Sequence, residues 1–185
     1  MLNRLAEEVK NTLVAGVKGT DNVASSLRGA VKNQVVGSFK DVGEMSSAGL
    51  DSLTDIVTGA VAGTGEIGGS VVEMTKSAVM GAIAGVSEVG GNTLTAVSKT
   101  VQGAVAGAAE TGADVGMVAV AGVEGAIEAA GAVGVVTADS AKEAVIAAIK
   151  AADSVGSEAG STARKALLSA ASLPHDLVEA AIKGN

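Results

Sequence analysis

The chain has 185 residues, a formal net charge of −7 and no cysteine, and it is 48 % hydrophobic but only 1 % aromatic, with Phe39 as its one ring. Conventional cores draw on aromatic area and disorder goes with low hydrophobicity, so this Ala/Gly/Val composition argues against both. It also lacks the cationic face and stacking rings of nucleic-acid binders, and every disulfide, thiolate and Cys-based metal site.

The first segment, residues 1–20, is richer in Leu and charge than the rest and reads as a partial repeat. Its start, "MLNRLAEEVK", carries Glu7 and Glu8 where a signal peptide needs an apolar core. The charge-free runs, such as 77–87, reach about eleven residues against the roughly 20 of a membrane-spanning helix. The expectation is a cytoplasmic chain with no signal peptide and no transmembrane span.

From Asp21 to Pro174 the sequence aligns without gaps in rows of 22 residues. "GAVAGTGEIGG" at 59–69 returns as "GAIAGVSEVGG" at 81–91 and "GAVAGAAETGA" at 103–113. One column reads Leu13, Val35, Val57, Val79, Val101, Val123, Val145, Leu167. Four places on, another reads Val17, Phe39, Val61, Ile83, Val105, Ile127, Ile149, Ala171, with small residues such as Ala60, Ala82 and Ala104 just before it. A period of 22 is two elevens, and eleven residues make three turns at about 3.67 residues per turn. On such a helix these columns share one stripe about 100° wide. The column Glu44, Glu66, Glu88, Glu110 falls roughly opposite.

Helical periodicity thus predicts an all-α chain of long amphipathic helices built from 22-residue (2 × 11) repeats, elongated and packing as a bundle or filament. Two architectures compete. A β-solenoid with one coil per repeat suits Val and Gly but not runs such as "AAIKAA". Helices broken at each "GG" would give hairpins about 18 residues long, with Asp21, Ser87 and Asp153 as N-caps and Gly63 and Gly85 as C-caps.

Gly68, Gly90, Gly112, Gly134 and Gly156 recur every 22 residues at the angle of Val57, Val79, Val101, Val123 and Val145. A helix-interior Gly costs about 1 kcal/mol against Ala, so on unbroken helices these glycines mark close helix–helix contact, a Val of one helix over a Gly of another. Val61, Ile83, Val105, Ile127 and Ile149 complete that expected self-association surface. The pairs Gly59/Gly63, Gly81/Gly85 and Gly103/Gly107 form a second small-residue track of the G-x-x-x-G type.

The stretch "VGGNTLTAVSKTVQGAVAGAAETG", residues 89–112, resembles the eleven-residue-repeat helices of the synucleins, chiefly through "SKTVQGAVAG". Perilipin-type lipid-droplet coats and apolipoproteins are similar in repeat style. The resemblance implies an amphipathic helix lying on a lipid surface. Here the chain is acidic, whereas lipid-surface helices carry Lys and Arg on the polar side, so lipid coating is the second reading.

Past the array, residues 175–185 form a short C-terminal helix that Pro174 opens and Gly184 stops. His175 is the only histidine, and with Asp176 it reads as a solvated first turn. Members of the Glu column would lie about 33 Å apart on a helix, too far to share an ion. The sequence therefore points to a non-enzymatic structural protein that self-associates as a bundle, stalk, tube or filament. It calls for no cofactor and no metal, with a second copy as first partner and a lipid surface as the alternative.

Overall fold

The computed structural model describes residues 3–19, 22–42 and 47–184, and among these every regular element is a helix. In chain order these are α1 (Arg4–Val17), α2 (Val23–Val42), α3 (Ser47–Ala62), the single turn α4 (Thr64–Ile67) and α5 (Val71–Glu88). They continue with α6 (Thr93–Thr111), α7 (Val115–Ala132), α8 (Thr137–Val155), α9 (Ser157–Ser169) and α10 (His175–Lys183). From α5 to α8 the first residues, Val71, Thr93, Val115 and Thr137, are 22 apart.

Short polar side chains start α1, α2, α6 and α7. Asn3, Asn92 and Asp114 accept the backbone N–H of Ala6, Thr95 and Met117, each occupying an orphan donor of the first turn. Asn22 receives Ser25 N–H at 3.0 Å in the same way. Asp21 and Glu44 lie outside the described residues.

Glycine ends the helices, and here the structure corrects the long-helix expectation. Gly90, Gly112 and Gly134 have φ of 75°, 69° and 77°, a left-handed conformation that would break any helix passing through them. Behind each, an N–H reaches back five residues to a carbonyl: Gly91 to Val86, Ala113 to Ala108 and Val135 to Ala130, all at 2.9 Å. This is the Schellman closure, repeated three times at one interval. Gly68 ends α4 with φ 85°, and the extended Gly156 separates α8 from α9. The longest described helix has 20 residues. Breaks at Gly68–Gly69 and Gly90–Gly91 match the hairpin alternative, those at 112, 134 and 156 fall at single glycines, and its caps lie elsewhere. Ser87 and Gly85 lie inside α5, Asp153 lies inside α8, and Gly63 joins α3 to α4.

Short connections fold each helix back on the one before, so alternate long helices run parallel and touch. One layer holds α1, α3, α6, α8 and α10 in succession; the other holds α2, α5, α7 and α9. A single core of small aliphatic residues lies between the layers. The Leu13-to-Leu167 column is buried in all eight rows. So is a column the sequence reading passed over, Val9, Val31, Leu53, Thr75, Val97, Ala119, Ala141 and Ala163. With Ala60 and Val61 and their equivalents these make an i, i+4, i+7, i+8 face, the stripe of a core-facing helix. Ala and Val thus build a compact core with Phe39 at its margin, contrary to the expectation from aromatic content. Close approach of backbones compensates for small side chains.

α7 is apolar nearly all round. It spans 18 residues with mean hydropathy 1.4, long and apolar enough to cross a membrane by length and composition. Within the fold, 56 % of it is buried between α5, α6, α8 and α9, the surroundings of a core helix.

Candidate functional site

The residues expected to pair helices of different chains divide into two groups. Gly68, Gly90, Gly112, Gly134 and Gly156 sit at helix ends, where an added Cβ would meet nothing within 4 Å. They are turn residues and do not form a contact line, because a stripe angle has meaning only on a helix that continues. Val57, Val79, Val101, Val123, Val145, Val61, Ile83, Val105 and Ile149 are buried, and Ile127 is partly buried, all against other helices of the same chain.

Close contact falls instead to the second glycine track. A Cβ on Gly103 would stand 2.5 Å from the Thr54 carbonyl oxygen, and one on Gly107 2.7 Å from that of Thr58. Gly59 faces the Ala6 carbonyl, Gly81 that of Arg28 and Gly85 that of Lys32. Gly125 continues the series in α7, 2.9 Å from the Lys76 carbonyl. Its G-x-x-x-G signal is hidden because Ala129 stands where the second glycine would be.

Polar groups tie the same neighbours together. Thr58 Oγ1 donates to its own helix at Thr54 O (2.9 Å) and across to Gly103 O (3.1 Å). Lys10–Glu66 (2.8 Å) and Lys32–Glu88 (2.6 Å) repeat one geometry 22 residues apart, and Lys76–Glu128 (2.7 Å) and Lys99–Asp51 (3.1 Å) span further helix pairs. The Lys10 ammonium donates to Glu66 and holds its carboxyl below the usual range. At the α8–α9 corner Arg164 donates two hydrogen bonds to Asp153, at 2.7 and 2.6 Å. Those bonds lower the Asp153 pKa and raise that of Arg164. The carboxylate rests on Gly160, where a Cβ would overlap it.

Among the described residues, one unfilled surface lies on the α5/α7/α9 layer. A groove of about 610 Å³ is lined by Val72, Met117, Val120, Ala166 and Ala170, with Asp114, Thr162, Lys165 and Ser169 on its rim. Met117 stands 55 % exposed beside it. A second hollow, about 380 Å³, lies on the opposite layer between Thr54, Gln102, Lys150 and Ser154 and is more polar. Among the described residues no cluster of three His, Asp or Glu side chains could hold a metal ion. His175 and Asp176 are exposed at the start of α10. No signal in the sequence marked the groove, since its lining comes from three helices and only Val72 and Gly116 in it share a column. Comparison with known proteins finds no family model and no curated relative that matches the chain.

Proposed function

We propose that this chain is a non-enzymatic structural protein, a helical building block that associates with copies of itself in the cytoplasm into a bundle, stalk, tube or filament. Its repeat columns are spent inside one chain, so elongation belongs to the assembly and the contacts between copies use the remaining apolar surface. The observation that carries the proposal is the groove beside Met117. An exposed, mobile thioether next to an apolar depression is costly to leave in water and adaptable as a contact. Lys10, Lys32, Lys76 and Lys99 are taken up in ion pairs between helices.

The second reading, a peripheral protein that coats lipid, is favoured by α7, whose composition suits a hydrocarbon environment. It requires the helices to part and turn their buried stripe outward. Light scattering and circular dichroism on the full chain, with and without lipid vesicles, separate the two. Helical particles of several chains, unchanged by vesicles, support assembly. A monomer that redistributes to vesicles replaces it with the lipid reading.

A further inference from the structure

We propose that the α7/α9 groove pairs with the same groove of a second copy across a two-fold axis; this rests on the homo-oligomer reading above. A two-fold interface must be complementary to itself, so that each feature meets its counterpart on the other copy, and it closes at two copies, so this pair is the unit from which a longer assembly grows through other surface. The groove supplies both halves of such a contact. Met117 projects at one side as a knob, and Val72, Val120, Ala166 and Ala170 form a depression able to receive the second copy's Met117.

The rim has matching charge. Asp114 lies at the start of α7 and Lys165 on α9, and both border the groove. Asp114 is exposed, and its Oδ1 accepts the Met117 N–H at 2.9 Å, a bond that does not use Oδ2. Lys165 has no ion-pair partner among the described residues. The axis places Asp114 of one copy against Lys165 of the other, twice per interface. In a chain of net charge −7 most surfaces repel their own copies, and this one carries both signs beside apolar area. The hollow bounded by Gln102 and Lys150 has an exposed Val155 but no acidic side chain in its lining to meet Lys150 of a second copy.

Sedimentation equilibrium of the full-length chain tests this, with circular dichroism confirming the fold of each variant. Met117→Glu, at an exposed position, is expected to leave helicity unchanged and abolish the dimer. Lys165→Glu should weaken it about a hundredfold, roughly tenfold for each of the two charge pairs it turns repulsive. Adding Asp114→Asn, which keeps the helix cap, should restore part of that loss. A wild-type oligomer unaffected by Met117→Glu and Lys165→Glu overturns the groove pairing and leaves the homo-oligomer reading standing. A wild type that stays monomeric to about 1 mM overturns both. Should 1:1 phosphatidylcholine–phosphatidylglycerol vesicles bind the wild type and not Met117→Glu, a lipid surface occupies the groove and the second copy does not.

Discussion

Gly103→Ala gives the sharpest test of how the two helix layers are held. Alanine raises intrinsic helix stability by about 1 kcal/mol in a helix interior. At Gly103 the new methyl would lie 2.5 Å from Thr54 O, against the 3.4 Å at which ordinary contact begins, with Val57 Cβ at 3.1 Å beyond. The obstacle is backbone, so α3 and α6 must move apart by most of an ångström. Such overpacking costs about 1–3 kcal/mol. The same movement stretches the Thr58 hydroxyl bond to Gly103 O, 3.1 Å long, and forfeits about 1 kcal/mol more. After the propensity gain the net loss is about 1–3 kcal/mol, a Tm fall of about 3–10 °C for a chain of this size. Gly29→Ala in α2 is the control: nothing lies within 4 Å of its added Cβ, and Tm should rise. Thermal unfolding followed by circular dichroism reads both. If Gly103→Ala raises Tm as Gly29→Ala does, close backbone approach is not what seats α6 on α3.

Thr75 Oγ1 is fully buried without a hydrogen-bond partner, in a column where Val31 and Val97 hold the same place. Thr75→Val should therefore stabilise the fold by about 1 kcal/mol, seen as a higher urea midpoint with unchanged slope. Gly90→Leu with Gly112→Leu forces two left-handed residues, at about 1–2 kcal/mol each. Tm should drop while the particle mass at low temperature stays that of the wild type; loss of assembly in folded protein would return these glycines to the interface. Arg164 depresses the Asp153 pKa in the folded chain, so the clamp stabilises above the ordinary carboxylate pKa and is lost as pH falls through the depressed one. Between pH 7 and pH 3, Tm of the wild type should fall further than Tm of Asp153→Asn. Equal falls would show that the pair contributes nothing to stability.

The apolar columns were legible because burial imposes a helical period that no other constraint in the chain imitates. Position 79 is apolar in every row, and it is buried in every row. The bounds of α10 were legible too, since proline and glycine punctuate locally. The helix breaks were read the wrong way round. At 90 and 112 glycine satisfied two incompatible hypotheses, a gap on a continuing stripe and a left-handed terminus. Periodicity cannot separate them, because a turn repeated at a fixed interval is as regular as a contact. The deciding clue was polar: Asn92 and Asp114 each stand two residues past a glycine, ready to cap the next helix. The groove was illegible for another reason. Val72, Met117 and Ala166 meet only because α5, α7 and α9 share a layer, and layer membership depends on counting turns correctly.

Alternation between layers also makes the architecture sensitive to parity. One 22-residue unit reverses the chain direction and sends it to the other layer, so two units restore both. Excising 44 residues would bring like to like, joining helices of the same layer and sense with their glycine-to-carbonyl seats in step. Excising 22 would turn every later helix upside down and exchange the two layers from that point on. Growth or loss of such a chain by recombination is therefore a matter of even numbers.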